Sequence, residues 1–375
     1  MFLDYRAAYR DRGYRGAQAC IRDFIAANGI KILFVAAEPA SFHFPLEFFR
    51  SLRPAVYTAM LAGDSVYYYG PRDRYYAGAM DLLVSCDSFE TAEAFKALGG
   101  DAVMFPSACD RGLYRKLPGL EKTIDVSFVG GLAGRRDRAA YLDYLAANGV
   151  EVRVYGSGTP GGRVSQAQMV EIFNQSRINL NFTGASVDLR LAAPAPLPPD
   201  TKQLKARLAE LALCGSFVLS ERAPGIERVF RPGEEAVYFD TKEDLLEKTR
   251  FYLARAGERE AIAARGYRRA LSDYDAGTAI PRLLGEIEAR RQAPKTAWSG
   301  IPADAVFNKN FASFRVLCLL RHLKRLKFSF ALEELLLLVQ LRTLDPRQVY
   351  DFFIVEIVDK FPRAKALLKK LLLRP

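Results

Sequence analysis

Cysteine is sparse and scattered. Cys20, Cys86, Cys109, Cys214 and Cys318 stand singly, with no CxxC spacing, which argues against a disulfide framework or a zinc site and fits a reducing compartment. The opening stretch, Met1 to Arg6, is charged and lacks the apolar core of a secretory signal. No run approaches the ~20 apolar residues that cross a bilayer; the longest, such as Leu335 to Val339, are far shorter. Low-complexity tracts and internal repeats are missing too, as are G-x-G-x-x-G and the Walker P-loop. These absences lead to the expectation of a cytoplasmic protein, with peripheral contact at the inner face of the membrane as the one membrane role left open.

What is present is an ordinary globular composition: 50% hydrophobic and 26% charged residues over 375 positions. That length suits two domains plus an extension. The formal charge of +11 is uneven, since residues 311–375 hold 13 Lys/Arg against 6 Asp/Glu. Basic balance admits nucleic acid, anionic membrane or phosphorylated substrates without choosing among them. No nucleic-acid recognition motif accompanies the charge, so nucleic acid is not expected as a partner.

Along the chain, a helix is expected over 5–28, ended by Asn28-Gly29, and a buried strand over Ile30 to Ala37. Further strands are expected at Ser65–Tyr69, Asp81–Ser85 and Ala102–Phe105, with a helix at 88–97. After a charged, Pro-Gly-containing break at Lys116–Thr123, a second alternation begins: strands at Asp125–Val129, Val150–Tyr155, Ile178–Phe182, Ser216–Ser220 and Ala236–Phe239. Helices at 135–147, 165–176, 202–213, 242–255 and 257–271 accompany them. The reading is α/β: two Rossmann-like domains facing across a cleft, with ligands outside the carboxyl ends of the strands. The divisions are 1–122, 123–290 and a 291–375 linker with a basic, all-helical C-terminal extension. In that extension helices are expected at 311–327, 329–342, 346–359 and 362–373. Internal packing or a homodimer contact is weighed against docking on an anionic membrane, and packing is favoured because mutually packed helices use up their apolar faces.

Two segments carry candidate chemistry. In Phe128-Val129-Gly130-Gly131-Leu132-Ala133-Gly134-Arg135-Arg136-Asp137-Arg138, a strand passes through glycines into a helix. Gly130 and Gly131 let the backbone approach a phosphate, and Arg135 and Arg138 add forked donors; tight packing alone accounts for the same pattern. In the helix Gln203 to Cys214, Arg207 and Glu210 lie at i and i+3, suited to phosphates and ribose hydroxyls respectively, or to a plain surface ion pair.

The order of the pieces resembles the CgeB/YkvP-like glycosyltransferases, the family of the spore-maturation protein CgeB. The matching pieces are Asp125 to Gly130, Val154-Tyr155-Gly156, Phe173 to Asn181, Arg207-x-x-Glu210 running to Gly215, Glu235–Asp240 and Ile262 to Gly266, with looser likeness at Val84–Asp87 and Met104–Asp110. The resemblance covers roughly residues 30–290. It implies a GT-B-like fold holding a nucleotide-diphospho-sugar, as co-substrate and not cofactor, mainly on the second domain. Glu210 then matches the ribose ligand, Arg207 and Arg138 the diphosphate contacts, Gly130 and Gly131 the loop, with Gly156 beside it and Asn181 toward the sugar or pyrophosphate. The Glu-x7-Glu that many retaining GT-B enzymes carry is broken, because Lys202 stands eight before Glu210; this leaves inversion or retention open. No metal is expected; Asp273-Tyr274-Asp275 reads as a solvated turn.

An inverting transfer needs a base from the first domain. Candidates are Glu38 at the first strand's end, His43, which packing between phenylalanines explains equally well, and Asp64. Tyr67-Tyr68-Tyr69 and Tyr75-Tyr76, with Arg72 and Arg74, suit either sugar stacking or the core, and the loop 184–201 suits a donor-site flap. The implied activity is a metal-independent, hexosyltransferase-like transfer to a bacterial surface-glycan, glycolipid or glycoprotein acceptor. The rivals are a catalytically inactive nucleotide- or glycan-binding protein and a nucleotide-sugar epimerase.

Overall fold

A computed structural model describes residues 1–36, 42–132, 135–185, 201–293, 298, 300–347 and 349–350. The chain opens with α1 (Tyr5–Ala27), whose first amides, those of Arg6 and Ala7, are capped by the Asp4 carboxylate at 2.9 and 3.0 Å. Gly13, at φ +72°, breaks α1 into two segments.

The first sheet runs β1 (Ile32–Ala36), β2 (Tyr57–Ala62), β3 (Leu82–Ser85), β4 (Ala102–Met104), in that spatial order and all parallel. Between them lie α2 (Leu46–Leu52), α3 (Ser65–Tyr68), a π-turn at Tyr69–Asp73, α4 (Arg74–Gly78) and α5 (Phe89–Ala97). The strand expected at Ser65–Tyr69 is therefore helical. β-propensity of a tyrosine run reflects packing more than backbone preference, and here a helical turn buries Tyr67 and Tyr68 and sets Arg72 4.7 Å from the Tyr68 ring. The strand that pairs with β1 is the apolar stretch Tyr57–Ala62 just upstream.

The second sheet contains β5 (Ile124–Val129), β6 (Val152–Tyr155), β7 (Ser176–Asn181), β8 (Val218–Glu221) and β9 (Val237–Phe239), ordered β6-β5-β7-β8-β9 and parallel throughout. Its helices are α6 (Arg136–Ala147), α7 (Gln166–Gln175), α8 (Arg207–Leu213), α9 (Lys242–Ala254) and α10 (Ala256–Asp273). This order reverses direction between β5 and β7, so a crevice opens at their carboxyl ends.

α11 (Ala276–Gln292) follows within the second stretch of sequence, yet lays Leu283 and Ile287 on Tyr57, Ala59, Leu82, Val84 and Val103 of the first sheet. The opposite face, with Met60, Ala62, Leu83 and Ala102, packs on α2, α4 and α5. The extension supplies α12 (Ala305–Lys324) and α13 (Phe328–Leu341). Phe307, Phe311, Phe314 and Leu317 of α12 join the same core as Phe42, Tyr75 and Tyr76; internal packing is what the described part of the extension does. The helices expected at 346–359 and 362–373 lie almost wholly outside the described residues. No helix among the described residues is long and apolar enough to cross a membrane.

α12 is pinned by a fully buried guanidinium. Arg315 donates to the Tyr9 hydroxyl at 2.6 Å and to the carbonyls of Phe42 and His43, and Glu334 of α13 lies 3.5 Å away, itself accepting from Tyr9. Removing one partner strands the other's charge in the core, a cost of about 3–5 kcal/mol. Urea unfolding of Arg315→Met is expected to show a loss in that range, with much of it recovered in Arg315→Met/Glu334→Leu. A single substitution costing under about 1 kcal/mol would mean the network is not the anchor.

Candidate functional site

The crevice between β5 and β7 is built first from backbone. β5 ends in Gly130 and Gly131, and the Gly130 amide donates to the Tyr155 carbonyl at 2.8 Å. At the end of β6, Gly156 sits at φ +137°, and a Cβ there would lie 2.3 Å from the Gly130 carbonyl oxygen. Only glycine meets both demands. Across the crevice Thr183 and Gly184 follow β7; Glu221, buried at the end of β8, accepts from both amides at 2.8 and 3.0 Å and pairs with Lys202 at 3.2 Å.

Cations line this backbone frame. Arg138, on the first turn of α6, donates to the Gly131 carbonyl at 3.1 Å, and its buried Nε has no hydrogen-bond partner among the described residues. Burial, then the neighbouring Arg135, lowers its pKa to about 10. Arg135 reaches Asp137 at 2.7 Å and the Gly184 carbonyl at 2.5 Å, tying the two sides of the crevice together. Lys205 is half-buried beside them. Burial lowers the pKa of its ammonium, Asp64 opposes that shift, and Arg138 reinforces it. Neither Arg138 nor Lys205 forms an ion pair with a described residue.

The first domain closes the opposite wall. Asp64, two residues past β2, holds a left-handed conformation (φ 53°, ψ 36°) that aspartate tolerates better than most side chains. It accepts from the Gln203 side-chain amide of the second domain at 2.7 Å. Asp87, two residues past β3, accepts from the Ser65 amide at 2.9 Å, while its own carbonyl accepts from the Leu204 amide at 3.0 Å. Burial pushes the Asp87 carboxyl up to about 6.

The sequence-derived candidates fall into two neighbouring groups, since Arg207 acts electrostatically on Arg138. Gly130, Gly131, Arg135, Arg138 and Gly156 form one cluster, with Asp64 facing Lys205 from the other domain. Arg207 and Glu210 pair with each other at 2.7 Å beside Phe173 and Met169, and Tyr114 hydrogen-bonds Glu210. Asn181 is buried, its amide donating to Ser220 Oγ at 2.8 Å, so it bridges β7 to β8. His43 stands in an aromatic cage, with Tyr9 at 4.8 Å and Phe314 at 5.0 Å. Burial, then Arg315, Arg321 and Arg6, holds its pKa well below the ordinary imidazole range. The two cavities that His43 lines have walls drawn from the first domain and α12, with no second-domain residue among the described lining residues. Glu38 and most of the expected flap, residues 186–200, lie outside the described residues. Tyr68, Tyr75 and Tyr76 are buried, as a core role requires. In the Asp-x-Asp triplet, Asp273 pairs with Arg269 at 2.8 Å and Asp275 accepts from the Arg111 amide at 3.3 Å.

Lys205, Asp87 and Glu221 escape the sequence reading. α8 begins at Arg207, five residues later than expected, because residues 201–203 instead pair with 183–185. Lys205 therefore belongs to the connecting segment, where tertiary pairing sets its place. Asp87 and Glu221 carry the signal that singles out Asp64, an acid at a strand's carboxyl end. A carboxyl raised in the folded state contributes stability that is present below the unfolded pKa and is lost as pH rises through the folded one. The wild-type chain is therefore expected to lose on the order of 2 kcal/mol between about pH 4 and pH 6 on this account. Asp87→Asn should lack that component in denaturant titrations across the window; an unchanged slope would show that Asp87 ionises normally.

Against known proteins, residues 135–285 match a family model described as "Glycosyl transferase-like", which is less than half of the chain. No curated protein matches the sequence. Among solved structures, sucrose-phosphate synthase from Thermosynechococcus elongatus is similar at 10% identity and TM-score 0.52, over 77% of this chain and 80% of that one. Anabaena HepE in complex with UDP is similar at 12% identity and TM-score 0.52, over 73% and 82%. TarM is similar at 8% identity and TM-score 0.53, over 72% and 58%. At such identities the likeness speaks to fold: two parallel-sheet α/β domains facing across a cleft with a helical C-terminal part, the GT-B glycosyltransferase architecture.

Proposed function

We propose that the protein is a glycosyltransferase that uses a nucleoside-diphospho-sugar, its diphosphate held between the Gly130-Gly131 turn, Arg138 and Lys205. The observation that carries this reading is the pair of half-buried cations without ion pairs to described residues, at the switch point of a parallel sheet. Such a site keeps two like charges partly desolvated; a diphosphate supplies the missing anion and accepts their hydrogen bonds. The match of residues 135–285 to a glycosyl transferase-like family and the UDP held by HepE, a protein of the same fold, favour a sugar nucleotide over other diphosphates. The CgeB-like assignment rests on the motif order described above. So do the bacterial origin, the hexosyl donor and the surface-glycan, glycolipid or glycoprotein acceptor. A cytoplasmic location, with any membrane or homodimer contact made through the extension, belongs to the same reading.

In the reaction, an acceptor oxygen attacks the sugar's anomeric carbon, and the bond to the diphosphate breaks with its electron pair leaving on oxygen. Arg138, Lys205 and the Gly130–Gly131 backbone are placed to stabilise that charge, so the reading assigns neutralisation to side chains and requires no metal. This reading assigns Asp64 to take the acceptor proton in an inverting course. Glu38 and His43 are the competing assignments.

Thermal-shift titration with UDP, GDP, CDP and dTDP tests the donor half. Selective stabilisation by one nucleotide is expected, and Arg138→Ala and Lys205→Ala should each weaken diphosphate binding roughly 10- to 100-fold while barely changing nucleoside binding. No shift with any nucleotide at millimolar concentration would sink the reading. For the base, Asp64→Asn is expected to slow transfer by about 10²- to 10⁴-fold with nucleotide affinity intact. Full activity in that variant would remove Asp64 from the role.

A further inference from the structure

α13 is apolar on both sides, and the protein core uses one of them. The inner side buries Ala331 and Glu334 and packs Leu337 and Leu341 against the first-domain core. Glu333 accepts there from the Tyr14 amide at 3.1 Å. The outer side carries Phe328, Leu332, Leu335, Leu336 and Val339, all exposed. Their spacing of i, i+4, i+7, i+8 and i+11 makes one continuous stripe. Phe328 and Val339, at its two ends, each keep 65% of their surface open. The exposed polar residues of the helix are Ser329 and Gln340, so no charge interrupts the stripe. Leu326 before the helix and Leu344 after it are exposed as well. A helix apolar all round belongs under cover, and a contiguous apolar patch marks a contact surface.

The charges around the stripe decide what covers it. Arg325 stands just before the helix, Arg342 at its C-cap and Arg347 shortly beyond. All three are exposed and form no ion pair with a described residue. Lys324 and Lys327 are partnered and do not enter the argument. The acids of α13 and its flanks are engaged: Glu333 by Tyr14, Glu334 by Arg315, and Asp345 by Lys309 at 3.3 Å. Asp11, which faces Lys327 and acts on by Arg325, is held by Arg10 at 2.7 Å. A second copy laid along the stripe, parallel or antiparallel, would bring arginine ends together, and like charges so placed are repulsive. The chain's own last stretch, residues 351–375, has the same sign, with six Lys/Arg against three Asp/Glu. An anionic lipid surface matches both the apolar stripe and its cationic ends.

We propose that the outer face of α13 docks on an anionic bilayer. The helix lies flat in the interface, its five apolar side chains directed into the acyl region and Arg325 and Arg342 at the level of the headgroups. Its 14 residues span about 21 Å, and no helix among the described residues is long and apolar enough to cross a membrane. This gives the membrane contact assigned to the extension a defined surface. It draws on α13 and its flanks and not on the nucleotide site, so either reading can fail without the other.

The test is co-sedimentation of the full chain with vesicles of phosphatidylcholine alone or mixed with phosphatidylglycerol. Binding to the mixed vesicles is expected to be at least about 10-fold tighter than to the neutral ones and to weaken in high salt. Leu335→Asp/Val339→Asp changes two exposed positions and should weaken binding by about 10-fold or more. Arg325→Glu/Arg342→Glu should do so by a similar factor, with thermal unfolding confirming that both variants fold. Failure of the wild-type chain to bind, or equal binding to neutral vesicles, would overturn the proposal whatever the variants do. Unchanged binding by Leu335→Asp/Val339→Asp would place the contact elsewhere in the chain and overturn it too. Sedimentation velocity without lipid covers the remaining occupant: a dimer that this variant dissociates would show that a second copy, and not a membrane, covers the stripe.

Discussion

A parallel sheet has two apolar faces, and both must be covered. The first sheet runs β1-β2-β3-β4 without reversing, so its own crossovers cover one face only. The second face is closed by α11, sent back from the far end of the second domain. That return brings the chain to the first domain again, where α12 adds five apolar side chains to its core. The basic extension is thus structural before it is anything else. Arg315 is buried there because its guanidinium satisfies loop carbonyls at Phe42 and His43 that lie outside any helix or strand. The same return ties the segment after β4 to the junction of α10 and α11, where Cys109 exchanges backbone hydrogen bonds with Tyr274 and Ala276.

At the cleft the problem is one of charge. Elsewhere in the second domain arginines find carboxylates: Arg222 meets Asp240 and Arg231 meets Glu235. Arg138 and Lys205 form no ion pair with a described residue, although both are half-buried while Arg231 is exposed. A buried cation without a partner is costly, and proteins keep such groups where a ligand completes them. The acids nearest Lys205, Asp64 and Asp87, come from the opposite domain. Lys205 is thus offset from across the cleft and Arg138 by Asp137 and Glu221 of its own domain, with Gln203 and Leu204 as direct links between the domains.

Most of the second domain is legible in the sequence because its strands are short apolar runs bounded by glycines and caps, and its glycine at 156 is forced by close approach of the Gly130 backbone. The first domain is harder. The aromatic run from Tyr67 to Tyr69 mimics a strand, while Tyr57–Ala62 has no alternation to announce it, being buried almost throughout. The candidate site is half legible. Gly130, Arg138 and Asp64 follow from the rule that ligands lie at strand ends. Lys205 does not, because its place depends on where α8 starts, and that is set by tertiary pairing with residues 183–185. His43 stands out in the sequence for its rarity, and rarity says nothing about surroundings; an aromatic cage explains it.

Lys202 shows how a motif's departure acquires a physical meaning. The position eight before Glu210 carries a cation where Glu-x7-Glu would carry an anion, and that cation pairs with Glu221. Glu221 in turn accepts from the amides of Thr183 and Gly184, which hold one lip of the crevice. A glutamate at 202 would face Glu221 across about the same distance, and two carboxylates that close in a half-buried setting cannot both ionise. Lysine at 202 is therefore not a missing catalytic group that the rest of the site tolerates. It is one half of a pair whose other half holds the Thr183–Gly184 lip of the crevice, so a change at Lys202 acts on Glu221 as well.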